Sequence, residues 1–263
     1  MVDGALVRRV EWSAARLATL QAEALRQFNP ESGATAVEFD GGALVAFGPG
    51  RYVNRAIGVG LGTRSPAEVV DAVRGFYEPR DQAPSFELCP WVAHETVQLL
   101  AAAGFVPDWF RNVYVHPLDD LPEQSGVDLE TVSSAGVAER IAILAQGALP
   151  GSAARSISDE FCGALELLPN KLDFVAVADG QAAACGSLTQ VDGIAWLGGA
   201  ATLPSHQGRG LQTALIAHRL HSAAAQGCEY AAVTALVGGA SARNLLRVGF
   251  QLMYTQVVLT RAG

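Results

Sequence analysis

The 263-residue sequence predicts an α/β (α+β) fold in two halves, each a mixed, mostly antiparallel central sheet flanked by helices. Three observations carry this. Asp-Gly pairs punctuate apolar runs as hairpins do, a glycine loop joins an apolar strand to a helical run, and two segments end in the same order of helix, Gly-Phe and strand. A polar connector, Asp119-Asp120-Leu121-Pro122-Glu123-Gln124-Ser125-Gly126, lies near the middle. It divides the chain into residues 1–118, a linker at 119–127, and residues 128–263.

In the first half, Ala56-Ile57-Gly58-Val59-Gly60-Leu61-Gly62-Thr63-Arg64 leads to Ser65-Pro66 and a helical stretch beginning near Ala67. Serine at the N-cap and proline in the first turn start a helix without any ligand. Leu99-Leu100-Ala101-Ala102-Ala103-Gly104-Phe105 then leads to an alternating run through Val113 to Val115.

The second half reads as a strand at Leu129 to Val132, helices at Val137 to Gly147 and Asp159 to Leu168, and strands at Asp173 to Ala178 and Ala182 to Gln190. Asp179-Gly180 and Asp192-Gly193 are the turns that bring antiparallel strands up to Ile194 to Leu203. The following helix, Thr213 to Gln226, is preceded by Leu211 and carries Ala214, Leu215, Ala217 and Leu220 at a spacing that packs one face on the sheet. A strand at Glu229 to Ala235, a helical stretch from Ser241 to Val248, Gly249-Phe250 and a strand at Met253 to Leu259 close the chain. Leu245-Leu246-Arg247-Val248-Gly249-Phe250 repeats the ending of the first half. This suggests a tandem of one fold, the alternative being chance similarity of two short segments.

Gln207-Gly208-Arg209-Gly210-Leu211-Gln212 stands between strand and helix. Glycines let backbone curl closely around a ligand, and the free N–H groups of a helix's first turn favour phosphate. The alternative is a tight turn without ligand. A P-loop would need Lys-Ser or Lys-Thr where Leu211-Gln212 stands, and a dinucleotide fingerprint would need a third glycine where Thr213 stands. What remains is Gln-x-x-Gly-x-Gln.

With Ala201-Thr202 and Pro204 before it and Gly249-Phe250 after it, this loop resembles the coenzyme A loop of the GNAT-type N-acetyltransferase superfamily, whose motif is Arg/Gln-x-x-Gly-x-Gly/Ala. Gln212 departs at the last position. The resemblance covers the last half of the chain and implies two GNAT-like domains, the first degenerate and without a cofactor loop. It implies acetyl-CoA as acyl donor, with Ala201 and Thr202 facing the pantetheine. The amides of Gln207, Gly208, Arg209, Gly210, Leu211, Gln212 and Thr213 meet the pyrophosphate, and Asn244 joins the cofactor-binding set. Gln212 is compatible if its side chain points outward, because the contacts are main-chain. Gly198-Gly199 marks either a bulge or close backbone approach beside the pantetheine, or a packing bend.

The resemblance further implies direct attack of a neutral amine on the thioester, with no covalent enzyme intermediate. The family's frequent general acid, a tyrosine four residues before the Gly of Gly-Phe, is replaced by Leu245. Ser241, Asn244, Tyr254 and Tyr230 are substitutes, each with an ordinary structural reading as cap, surface or strand residue. For the base, the strand before the loop offers no carboxylate or histidine. His206 lies beside the loop, Asp192 serves a hairpin, and Glu87 and His94 stand in the first half. The catalytic residues therefore stay unassigned. Two functions follow: an N-acetyltransferase acting on a primary amine, small or part of a larger acceptor, or a non-catalytic acyl-CoA-binding sensor.

A formal charge of −8 argues against a broad nucleic-acid surface, although Arg209, Arg243 and Arg247 cluster near the cofactor end. Apolar runs break before the roughly 18 residues a membrane span needs, and no signal pattern opens the chain, so a cytoplasmic monomer or homodimer is expected. Cys89, Cys162, Cys185 and Cys228 have neither zinc nor disulfide spacing. Free buried thiols and no metal are expected.

Overall fold

A computed structural model describes residues 3–48, 54–82, 84–131 and 155–261. The chain forms two compact units. Unit 1 comprises Met1–Val113, Gly163–Leu168 and Met253–Gly263; unit 2 comprises Tyr114–Cys162 and Pro169–Leu252.

In unit 1, helix α1 (Gly4–Phe28) starts where the Asp3 side chain accepts a hydrogen bond from the Ala5 amide, and it buries Val7, Val10, Ala15, Ala18, Ala22 and Leu25. Strands β1 (Thr35–Phe39) and β2 (Gly42–Ala46) are joined by Asp40-Gly41, both at positive φ (53° and 84°), as a type I′ hairpin requires. Then follow β3 (Asn54–Ile57), α2 (Pro66–Tyr77), β4 (Pro84–Leu88), α3 (His94–Ala102) and β5 (Phe105–Pro117). The sheet order is β1-β2-β3-β4, then the C-terminal strand β11 (Gln251–Arg261), then β5. Strands β3 and β4 are parallel and the other registered pairs antiparallel. The core gathers Leu44, Val69, Val73, Tyr77, Phe86, Leu100 and Phe105 under α2 and α3.

Unit 2 repeats the plan. It contains β6 (Asp128–Thr131), most of α4 (Arg155–Leu165), β7 (Lys171–Ala178), β8 (Gln181–Val191), β9 (Ile194–Thr202), α5 (Leu211–Ala225), β10 (Tyr230–Leu236) and α6 (Ala240–Arg247). The order is β5-β10-β9-β8-β7-β6, where β10 runs parallel to β9 and β6 to β9 pair antiparallel. Both Asp-Gly hairpins form, with positive φ at Asp179, Gly180, Asp192 and Gly193. Leu211, Ala214, Leu215, Ala217 and Leu220 are all buried, as the helical spacing predicts. The expected strand at Leu129 to Val132 is seen at 128–131, while the expected helix at Val137 to Gly147 lies outside the described residues.

Two chain segments fall where periodicity alone does not place them. From Met253 onward the closing strand counts with unit 1, and from Tyr114 onward β5 counts with unit 2. Alternation says that a strand exists; which sheet receives it depends on tertiary packing. Among the described residues no cysteine forms a disulfide, three being buried and Cys162 half-buried, and no helix is long and apolar enough to cross a membrane.

Candidate functional site

The site is built where β9 meets α5. Strands β9 and β10 pair through Tyr230–Ile194, Ala231–Ala195 and Ala232–Trp196, and there the pairing ends. Both strands continue, β9 to Thr202 and β10 to Leu236. Beyond the last pair they diverge and leave backbone donors and acceptors on facing edges without a ladder partner there. Gly198, Gly199 and Ala200 are exposed along β9, as are Thr234 and Leu236 on β10.

On its other edge β9 pairs with β8, and the register shifts between Cys185 and Ser187. Cys185 faces Ala201 and Ser187 faces Gly198, so the single residue Gly186 stands against Gly199 and Ala200. This is a β-bulge, and Gly199 carries its positive φ of 53°. The bulge is one of the two readings that Gly198-Gly199 left open.

After Thr202 the chain makes a short helical turn, Pro204–His206, and then the glycine turn. Gly208 and Gly210 both adopt left-handed backbone (φ 77° and 81°). Gly210 is the N-cap of α5, and no side chain caps this helix. A Cβ at either glycine would meet nothing within 4 Å, so these glycines serve backbone conformation and leave open space in front of them. The first turn of α5 therefore has no side chain capping its amides, which carry the positive end of the helix dipole. At the strand end, Thr202 Oγ1 is buried without a hydrogen-bond partner. An orphaned hydroxyl of that kind fits a ligand atom or water.

The remaining sequence-predicted residues divide by unit. Ala201 is buried on β9, and Gln207 is exposed at the turn. Arg209 forms a two-pronged pair with Asp179 at 2.6 and 3.1 Å, and His206 Nε2 lies 3.4 Å from the same carboxylate. Hydrogen bonding from Arg209 holds the Asp179 carboxyl below its usual range. Gln212 turns its side chain inward: Nε2 donates to the carbonyls of Ala201 (2.6 Å) and Cys185 (3.1 Å). Asn244 is half-buried on α6, where its Oδ1 accepts from Arg247 at 3.1 Å. Leu245 is buried in the core. Ser241 is exposed in the first turn of α6, and Tyr230 stands at the paired start of β10. Arg243 donates to the Gly238 carbonyl at 3.2 Å.

Tyr254, Glu87 and His94 belong to unit 1. There the Tyr254 hydroxyl donates to buried Glu11, while Glu87 is gripped by Arg55 (2.6 and 3.3 Å) and by Arg111. Burial alone would raise the Glu87 carboxyl, but the Arg111 and Arg55 charges outweigh it and hold it below the usual range. His94 is exposed at the start of α3.

Sequence reasoning missed Arg219. The residue is 2% exposed, and its guanidinium donates to the carbonyls of Ser187 (3.0 Å), Gly198 (3.3 Å) and Leu215 (3.1 Å). The available signal was an arginine four residues after Leu215, on the apolar face of an otherwise core-packed helix.

Residues 139–250 match the family model described as the Acetyltransferase (GNAT) family. Among solved structures, the chain is similar to a GCN5-related N-acetyltransferase from Kribbella flavida, with 22% identity over 95% of this chain and 96% of that one and a TM-score of 0.67. It is also similar to a GCN5-related N-acetyltransferase from Sphaerobacter thermophilus, with 14% identity, coverage of 75% and 68%, and a TM-score of 0.57. A tandem GNAT protein from the clavulanic acid biosynthesis pathway gives 16% identity, coverage of 82% and 72%, and a TM-score of 0.54. No curated protein sequence matches the chain.

Proposed function

Taking residues 139–250 as the GNAT acetyltransferase domain they match, we propose that unit 2 binds acetyl-CoA and transfers its acetyl group to a primary amine, on a small molecule or on a larger acceptor. The observation that carries this reading is the coincidence, at one end of β9, of a lapsed β9–β10 ladder and an uncapped helix entered through two left-handed glycines. A ligand that threads between parallel strands and ends in phosphate matches both halves of that arrangement. Coenzyme A has that shape.

The amides from Gln207 through Thr213 hold the pyrophosphate, and the free edge of β9 at Ala201 and Thr202 bonds the pantetheine. Arg209 is held by Asp179, so its contribution is through its backbone. The acceptor nitrogen attacks the thioester carbon, the C–S bond breaks, the thiolate leaves with a proton, and the amine proton passes to solvent. Catalysis here is positioning. Leu245 is buried and has no ionisable proton; Ser241, exposed in the first turn of α6, carries the nearest hydroxyl in sequence.

The alternative function is an acyl-CoA sensor without turnover, favoured by Leu245. Free thiol release from acetyl-CoA across a panel of amines separates the two. Amine-dependent release supports the transferase; tight coenzyme A binding with no release across the panel supports the sensor; no binding sinks both. The placement has its own test. Gly210→Asp sets a negative charge in the cradle and is expected to weaken coenzyme A binding by at least about tenfold, roughly 1.4 kcal/mol. Unchanged affinity by calorimetry would move the site elsewhere.

A further inference from the structure

The β9 bulge is held from one side by a single helix. Gln212 Nε2 takes the carbonyls of Cys185 and Ala201, the register pair on one flank of the bulge. Arg219 Nη1 takes the carbonyls of Ser187 and Gly198, the register pair on the other flank. The two side chains are seven residues apart on α5, a rise of roughly 10 Å. Ala201 and Gly198 are three residues apart on β9, also roughly 10 Å at strand spacing. One helix thus grips both flanks.

Gly186 completes the arrangement, because a Cβ there would lie 2.8 Å from the Arg219 guanidinium carbon. Among the described residues no carboxylate pairs with Arg219, and burial pulls its pKa down to about 10. A buried cation satisfied only by carbonyls is an expensive way to fill a core position, where an apolar side chain costs less. What the cation supplies instead is a fixed fork of donors that reaches two strands at once.

We propose that Gln212 and Arg219 are positioning residues that fix the β9 bulge, and with it the β9 groups offered to the acyl donor. The proposal rests on the acetyl-CoA reading of unit 2. It also accounts for glutamine at the last position of the loop motif. There the side chain ties the loop helix to the strand that carries Ala201 and Thr202, so that phosphate cradle and pantetheine edge keep one spacing. Losing either grip lets the extra residue of β9 migrate, and a one-residue slip turns every following side chain to the opposite face.

Gln212→Leu and Arg219→Met keep side-chain volume and remove the donors. Coenzyme A affinity is measured by calorimetry, stability by Tm, and amide hydrogen exchange of residues 198–202 in the ligand-free protein. Each variant is expected to raise the Kd about tenfold and to speed exchange at 198–202. The Tm of Arg219→Met is expected to change little, since loss of the buried charge offsets loss of the donor to the Ser187 and Gly198 carbonyls. A purely structural role would lower Tm and leave the affinity of the folded protein unchanged. Wild-type affinity together with wild-type exchange in both variants overturns the proposal. If the wild type itself binds no coenzyme A, the acetyl-CoA reading falls, while the exchange rates at 198–202 still decide whether the clamp holds the bulge. Should Arg219→Met fail to fold, Gln212→Leu, at a half-buried position, decides alone.

Discussion

The two units carry the same strand-loop-helix at corresponding places in their sheets, and they finish it in opposite ways. In unit 2 the parallel pair β9–β10 opens after Ala232, and α5 begins uncapped behind left-handed glycines. In unit 1 the parallel pair β3–β4 stays closed to the end of β3, through Ile57–Glu87, and Glu87 reaches back to bind Arg55. The loop before α2 has its own anion. Asp40 Oδ1 accepts from the amides of Thr63 (2.7 Å) and Arg64 (3.2 Å), and a Cβ at Gly62 would collide with that oxygen. Ser65 and Glu68 then cap α2 reciprocally. Donors that unit 2 leaves open are therefore satisfied within unit 1 by Asp40 and Glu68. A glycine-rich strand-to-helix loop is a site only if the protein does not supply the anion itself.

The largest expected effect that sharpens this contrast concerns the buried network of unit 1. Glu11 is 1% exposed; it accepts from Tyr254 and from Gln256 (2.6 Å), and its Oε2 has no partner. Burial pushes its carboxyl up to about 7. The folded state then binds a proton more tightly than the unfolded chain does, so the contribution is complete below about 4.5 and is lost as pH rises through about 7. Glu11→Gln removes that loss. It should flatten the fall in stability between pH 5 and 8 in denaturant melts, by an amount on the order of 3 kcal/mol. A wild-type curve already flat over that window would refute the assignment.

Next in size is Asp40→Ala. It leaves the Thr63 and Arg64 amides without their carboxylate and should cost about 1.5–3 kcal/mol, measured by urea unfolding. It should not create a second coenzyme A site, because β3 and β4 remain zipped; a second site by calorimetry would break the comparison. Ser65→Ala removes one side of the capping box and should cost about 1 kcal/mol. Smallest is Arg209→Ala. The Arg209–Asp179 pair is exposed, so stability should be nearly unchanged, and coenzyme A affinity should change by less than about threefold if only the Arg209 backbone meets the ligand. A loss of tenfold would show that the guanidinium leaves Asp179 for phosphate.

Much of unit 2 was legible because local rules decide it. Asp179-Gly180 and Asp192-Gly193 specify their turns by positive φ, and Leu211 to Leu220 specify a packed face by period. Ser65-Pro66 likewise announced a helix that needs no ligand. Other features depend on pairs distant in sequence. Asp40 meets its loop 23 residues later, and Gln212 meets Cys185 from 27 residues away, so no window of periodicity contains either contact. By motif position Gln212 is compatible with the loop if its side chain points outward; its amide instead answers two carbonyls at the bulge. The end of the β9–β10 ladder is also invisible locally, since Tyr230 to Ala235 reads as ordinary strand across the break.

The central claim is that one unit keeps an open cradle and the other has filled its own. Amide hydrogen exchange of the whole chain with and without coenzyme A, alongside calorimetric stoichiometry, tests this directly. One coenzyme A per chain is expected, with protection gained at residues 199–202 and 207–213 and none at 58–66. Two bound per chain, or protection at 58–66 in place of 207–213, would contradict it.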